Sequence, residues 1–539
     1  MNQVELIRLV LKGKNLLPVE DQFKIIRSYH HGHVQAVLAT MKQLGMERLI
    51  STTPSRERDH VLAMIAARIL EPESKLSTTR WWHTTTLSTE LGVIDADEDD
   101  LYHAMDWLLE RQERIEKKLT ARHLSKDSTA LYDLSSSYFE GCCCPLAALG
   151  HNRDRKKGKL QVNYGLLADK RGCPIAVSVF KGNTSDSKTL MPVVERMRDR
   201  FGLERFVIVG DRGMISQKQI DALKTIEGME WITALKSGAI AKLIEGEAIQ
   251  MDLFDERNLF EFTHPDYPGE RLVACLNREL KKLRAHKRRS LLEATVKELE
   301  KVRTMVRRGK LKGKGRDEIG VRVGRVINKY KVGKHFVLEI KDGVFDFHIN
   351  EKKVEIEAAL DGIYVIRTSL SADSISTGDV VRNYKDLSRV ERAFRCIKTM
   401  DIRIRQIRHY TEGRVRAHIF LCMLAYYVQW HMLEAWRPLL FSDEDQEAKT
   451  SRDPVAPAKR SKAALKKVHS KKLLDGSEAY SFQSLLQLLS SIVRNVCRVP
   501  GAGPDAPTFE IVTTPSAKQQ EALDLLTAIA PPVYGRGLL

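Results

Sequence analysis

The stretch RFVIVGDRGM, residues 205–214, sets four apolar residues side by side, Phe206 to Val209, and then turns on Gly210 and Gly213. An apolar run closed by turn residues is the pattern of a strand buried on both faces. Asp211 follows at its carboxyl end, the edge of an open α/β sheet where ligand and catalytic groups collect. An aspartate that merely forms a turn beside glycines has the same local pattern. The neighbouring segments decide between the two.

Three β-rich segments precede this strand: TALYDLSSSYFEG (129–141), LQVNYGLLAD (160–169) and PIAVSVFKGN (174–183), the last two joined by a short hairpin link. A helical segment, SDSKTLMPVVERMRDRFG (185–202), leads into the opening strand. A second helix, SQKQIDALKTIE (216–227), and another strand, EWITALK (230–236), follow it. Three antiparallel strands and then alternating helix and strand describe a mixed α/β sheet.

Upstream, residues 1–125 read as helical. DHVLAMIAARIL (59–70), a turn at EPES, and KLSTTRWW (75–82) with Ser74 as N-cap make a helix, turn, helix pattern. A DNA-reading element and two plainly packed helices share that pattern. LYHAMDWLLERQERIEKKLTARH (101–123) reads as one helix, with acids before it and bases at its end as the helix dipole favours.

Downstream the rhythm breaks. Residues 278–316 hold sixteen Lys or Arg against four Glu, a lopsided balance that favours phosphate contact over a solvated helix of mixed sign. HFVLEIKDGVFDFHIN (335–350), with its Asp-Gly hairpin signal, and GIYVIRTSL (362–370) then read as strands of an insertion within the main fold. Residues 376–437 are helical, 442–475 read as a polar linker, and SFQSLLQLLSSIVRNV (481–496) as one last amphipathic helix.

The totals agree with a large globular protein. Of 539 residues 43% are hydrophobic, and a net charge of +18 favours a polyanionic partner, nucleic acid above all. Membrane is the competitor, but the longest apolar stretch, IFLCMLAYYV (419–428), is too short to span a bilayer and no signal-peptide core is evident. The eight cysteines include no CxxC pair, which argues against a zinc ribbon and suits a reducing cytoplasm. The Cys142–Cys144 run reads as a small-residue loop, and the three histidines of YHHGHV (29–34) as a surface turn rather than a metal site.

Asp133 lies mid-strand in LYDLSSSYF, on the face of Leu131 and Ser135. A charge there is costly unless paired or metal-bound. If the first and fourth strands are neighbours, as in a ribonuclease-H-like sheet, Asp133 and Asp211 converge at one edge. Two close carboxylates need a cation, and Mg²⁺ suits oxygen ligands. YKDLSRVERAFRCIK (384–398) offers a third: on one helix Tyr384, Leu387, Glu391, Arg395 and Lys398 share a stripe. An ordinary Glu391–Arg395 pair on an amphipathic helix fits the same spacing.

Together these residues resemble the insertion-sequence transposases of the DDE class, in the group with the signature Y-x2-R-x3-E-x6-K. Tyr384, Glu391 and Lys398 match it at the right spacings, while Leu387 occupies the arginine position. Asp133 in LYDLSSSYF and Asp211 in GDRGM match the two preceding acidic motifs, FKGNTSD (180–186) is similar to the segment after the third strand, and the likeness runs from about 60 to 500.

The resemblance implies a ribonuclease-H-like mixed sheet with helices, interrupted by an insertion domain, plus a helical N-terminal region. The expected divisions are 1–125, helical and a candidate for DNA binding; 126–237, the first part of the catalytic core; 238–370, the basic insertion; 371–440, the second part of the core; 441–475, a linker; and 476–539, a C-terminal helical segment and tail. By the same resemblance Asp133, Asp211 and Glu391 are catalytic and hold two Mg²⁺ ions, with Mn²⁺ able to substitute. Tyr384, Arg395 and Lys398 contact DNA, Arg395 supplying the phosphate contact of the absent arginine. Arg389 sits about 200° around the helix from Leu387.

The implied activity is cutting at transposon ends and joining of the freed 3′-hydroxyl to target DNA. The implied partners are double-stranded DNA and a second copy of the chain that synapses two ends, in a bacterial or archaeal cytoplasm at the nucleoid. In relatives the insertion helps process a DNA hairpin. Here it contains no Trp, and Tyr267, Tyr330 and Phe336 are the aromatic substitutes. The rival readings are a metal-dependent nuclease of the same fold without strand joining, and a catalytically inactive DNA-binding relative.

Overall fold

The structure, a computed structural model, describes residues 7–8, 11–13, 23–141, 143–154, 156–309, 315–405, 407–445, 453–456, 459–499, 503 and 505–530. Cys142 of the cysteine run, residues 310–314 of the basic segment and 446–452 of the expected linker lie outside the described residues.

In chain order the strands are β1 (Lys24–His30), β2 (Ser128–Tyr138), β3 (Gln161–Asp169), β4 (Pro174–Lys181), β5 (Phe206–Val209), β6 (Met229–Ala234), β7 (Leu259–Phe262), β8 (Arg271–Leu276), β9 (Phe336–Lys341), β10 (Val344–Ile349), β11 (Ile363–Thr368), β12 (Val493–Arg498) and β13 (Phe509–Val512). The fold is mixed α/β, a sheet of eight strands with helices. The chain divides into two compact units: Met1–Phe206 with Asp386–Gln446 and Arg460–Leu539, and Val207–Lys385 with Glu447–Lys459.

The first unit contributes β4-β3-β2 to the sheet as an antiparallel meander. β3 is buried over its whole length and β2 over most of it. Gly165 on β3 lets Tyr132 of β2 cross it, since a Cβ there would meet the phenol oxygen at 2.2 Å. The Glu412–Ala435 helix packs against β4 and is buried on all sides from Ala417 to Trp430. That burial accounts for its ten-residue apolar stretch, and no described helix is long and apolar enough to cross a membrane.

Helices Arg56–Leu70 and Lys75–Trp81 form as expected, with the Ser74 hydroxyl accepting from Ser77 N. The segment 101–123 is two helices rather than one, Glu98–Glu110 and Gln112–His123. At the break Arg111 lays its guanidinium 3.8 Å from the Trp107 ring centroid and donates to Trp107 O at 2.8 Å. Its own amide bonds to Leu108 O, tightening the last turn.

The chain's two ends correct two further expectations. Residues 481–496 do not form one helix: Phe482–Ser490 is helical, and β12 then pairs antiparallel with β1 and with β13. The β-branched Val493 and Val496 suit a strand once partners are available. The YHHGHV segment is a packed junction rather than a surface turn, with His31 and His33 only 7% and 9% exposed. Gly32 sits where a Cβ would lie 2.5 Å from Leu489 O, and His31 Nδ1 hydrogen-bonds Thr86 Oγ1.

Burial, with the neighbouring His30 and His31, pushes the His33 imidazole down to about 4. The unfolded chain therefore takes up this proton first as pH falls, and the folded state loses stability between about pH 6.5 and 4. The expected loss at this residue is about 3 kcal/mol, read as a lower urea midpoint in acid and a shallower pH dependence in His33→Gln.

The second unit holds β5-β6-β11-β8-β7 in that order, with β6 and β11, β11 and β8, and β8 and β7 paired antiparallel. Three strands from the expected insertion, β7, β8 and β11, thus extend the sheet. The rest, helices Arg278–Arg307 and Arg316–Tyr330 with the β9–β10 hairpin, close over their own core of Leu299, Val302, Ile319, Val323, Phe336 and Phe345. The Asp-Gly signal is met: Gly343 turns the hairpin at φ +68°.

Candidate functional site

Asp133 stands in the middle of β2 opposite Leu166 of β3, half-buried, with Oδ1 accepting from Leu134 N at 2.7 Å. Side chains two residues apart share a face, so Asp133, Ser135 and Ser137 face one way. Tyr164 lies opposite Ser135 on that face and bonds Ser137 Oγ at 2.8 Å. The helix Leu387–Arg395 covers this face, with Val390, Ala393 and Phe394 buried and the Phe394 ring 5.8 Å from Tyr164.

Glu391 lies one turn before Phe394 on this helix, so the sequence brings two of the three expected carboxylates to one face of one unit. Glu391 is exposed and makes no hydrogen bond or ion pair among the described residues. Arg395, one turn further, is also exposed, and no Glu391–Arg395 pair forms. A carboxylate with all its acceptor sites open and a cation one turn away suit an ion and a phosphate respectively.

The expected stripe across 384–398 is broken at both ends. Tyr384 ends the separate helix Thr377–Lys385 in the second unit, and the chain resumes at Leu387 after Asp386, whose carboxylate takes Arg389 Nε at 3.0 Å. Past Arg395 the backbone widens into a π turn, Cys396–Met400, which shifts the phase of the side chains. Lys398 consequently points inward, 8% exposed, and donates to Asp154 Oδ1 at 3.1 Å. Burial pulls its ammonium below the ordinary lysine value, against the opposing pull of Asp154.

Asp154 carries no sequence signal, since it sits in the basic stretch HNRDRKKGK (151–159). Its side chain is 1% exposed, and it also binds Arg405 and accepts from Tyr138 N at 3.0 Å. Arg389 faces away from the Asp133 surface, donating to Lys170 O at 3.0 Å and packing on Gly172, whose φ of +86° and close approach admit no Cβ.

In the second unit, Asp211 follows β5 after Gly210 and is exposed. Its Oδ1 accepts from Gly213 N at 2.6 Å, and its carbonyl takes Met214 N and Ile215 N, both at 3.0 Å. The loop thus forms the turn the sequence signalled and fixes one carboxylate oxygen of Asp211.

Among the expected aromatic substitutes, Phe336 is buried in the insertion core and Tyr330 packs on it. Tyr267 is half-buried and holds the Arg367 guanidinium 4.9 Å from its ring centroid.

The basic helix is continuous over Arg278–Arg307, capped by the Asn277 side chain, which accepts from Leu280 N. Leu292, Thr295, Leu299, Val302 and Val306 are buried at helical spacing. Lys282, Arg284, Lys287 and Arg289, in its first half, are exposed without carboxylate partners among the described residues.

A family profile described as a transposase DDE domain matches residues 142–428, more than half of the chain. The match takes in Asp211, Tyr384 and Glu391 and begins just after Asp133. No curated protein matches. Among solved structures, a piggyBac transposase synaptic complex with hairpin DNA is 10% identical, covering 85% of this chain and 76% of its own, with a TM-score of 0.36.

Proposed function

The chain belongs to the transposase DDE domain family, and from that membership we propose that it cuts DNA at transposon ends and joins the freed 3′-hydroxyl to target DNA. The observation that carries this reading is Glu391, an exposed carboxylate without a partner among the described residues, on the helix that covers the Asp133 face. Asp133, Asp211 and Glu391 would hold two divalent metal ions, and their hard oxygen donors fit Mg²⁺, with Mn²⁺ as a substitute. When bound, the ions neutralise charge at the entering and leaving oxygens of an in-line displacement.

The chain's own residues orient the DNA. Arg395 is within one helical turn of Glu391 and free to take a backbone phosphate, the part that the absent arginine at Leu387 would otherwise have. The exposed cations of the basic helix add contacts that do not depend on sequence. A second copy of the chain bringing the other DNA end completes the proposal.

The test is cleavage and strand joining on the element's own end sequence with Mg²⁺. Joined product supports the transposase reading, nicks without joining favour the nuclease, and binding without either favours an inactive relative.

Salt supplies a further check. Replacing Lys282, Arg284, Lys287 and Arg289 together with alanine is expected to flatten the log–log salt slope of DNA binding by about 3 to 4. Between 50 and 200 mM salt that removes roughly a hundredfold of the affinity loss. An unchanged slope in filter or fluorescence titrations would dismiss this helix as a phosphate contact.

A further inference from the structure

The first unit carries a second cluster of ligating side chains, of another chemistry than the carboxylates. His123 ends the Gln112–His123 helix, Cys173 lies in the tight turn between β3 and β4, and His431 is in the Glu412–Ala435 helix. One donor atom from each lies within 4.8 Å of the other two. Cys173 Sγ is 3.9 Å from His431 Nε2, and the thiol is fully buried and outside any disulfide. We propose that His123, Cys173 and His431 form a binding site for a borderline transition metal, Zn²⁺ by preference, which ties these three elements together.

The donor set is the argument. One thiolate and two neutral imidazoles suit Zn²⁺ and are poor ligands for Mg²⁺. Around a tetrahedral ion such donors sit about 3.5 Å apart, close to the 3.9 Å between Cys173 Sγ and His431 Nε2.

His123 Nδ1 accepts from Arg171 Nη2 at 3.2 Å, and the buried Asp169 carboxylate that pairs with Arg171 lies 3.7 Å from the same nitrogen. Its Nε2 bonds the Tyr427 hydroxyl at 3.0 Å. That hydroxyl or a water fills the fourth position. Arg171 stands against the site, with Nη2 3.2 Å from His123 Nδ1, but its charge is paired with Asp169 at 2.8 Å.

Binding replaces the Cys173 S–H bond with an S–Zn bond and releases that proton to solvent. Burial raises the free thiol's pKa well above the ordinary cysteine value, so the ion, not the surroundings, must deprotonate it.

The experiment uses the full-length protein without a polyhistidine tag, loaded with Zn²⁺, desalted, and measured by mass spectrometry of the metal. The expected content is about one tightly held zinc per chain, lost in both Cys173→Ser and His431→Gln and retained in Asp211→Asn. Loading with Co²⁺ instead is expected to give a thiolate-to-cobalt charge-transfer band in wild type, absent from Cys173→Ser. The wild-type band is read without reference to any variant. Zinc that a weak chelator strips as easily from wild type as from Cys173→Ser, or a cobalt spectrum without the thiolate band, would overturn the site and leave a hydrogen-bonded core cluster. Neither result depends on strand joining, so the two proposals fail separately.

Discussion

Replacing Asp211 with alanine is expected to lower cleavage and joining by about three orders of magnitude and to leave the fold intact. The size follows from the chemistry. An oxygen ligand that fixes charge at the reacting phosphate contributes on the order of 4 kcal/mol to the transition state, and each 1.4 is about tenfold. The fold is spared because Asp211 is exposed, and its side chain's hydrogen bond is to Gly213 N in its own turn. A lost turn bond of that kind costs about 1 kcal/mol. Mg²⁺-dependent assays on end DNA, beside a thermal melt, separate the two effects. Equal activity in wild type and Asp211→Ala would make Asp211 a turn residue only.

The second large effect is on stability. Asp154→Ala is expected to destabilise the folded chain by about 3–5 kcal/mol, because it strands the buried Lys398 ammonium and deprives Arg405 of its carboxylate. Lys398→Met removes the costlier charge and leaves Asp154 its Arg405 and Tyr138 N partners, so it should cost much less. Urea unfolding of the two variants measures the asymmetry. It also bears on the lysine of the signature: if Lys398→Met binds end DNA as wild type does, Lys398 serves Asp154 and not a phosphate. Similar losses from both variants would mean the pair is not the buried anchor it forms here.

Much of the fold was legible because local pattern and tertiary environment agree. Each strand from TALYDLSSSYF to EWITALK is bounded by turn residues and apolar enough to be central, and each forms. The misreadings share a cause. The 384–398 stripe assumed 3.6 residues per turn, whereas Asp386 interrupts the helix and a π turn carries Lys398 inward. SSIVRNV turns into a strand because a partner from the far end of the chain is waiting for it. Of the candidate site, the three acids were readable as motifs, but Asp154 had no motif to announce it. His123, Cys173 and His431 lie too far apart in sequence for any spacing rule to join them.

The pairing of β1 with β12 has a consequence for how the molecule is made. Ser28 Oγ donates to Asn495 Oδ1 across 467 residues. At ribosomal speeds of 5–20 residues per second, β1 emerges roughly 20 to 90 seconds before its neighbour exists. Through that interval the nascent chain presents an open strand edge, and Gly32 and the buried histidines beside it lack the Leu489 and Ile492 surface they pack on. A ribosome that stalls after the carboxylates have been synthesised releases a polypeptide with every acid of the motif and an unfinished N-terminal end. Translation through β12 is thus a condition for covering the edge of β1.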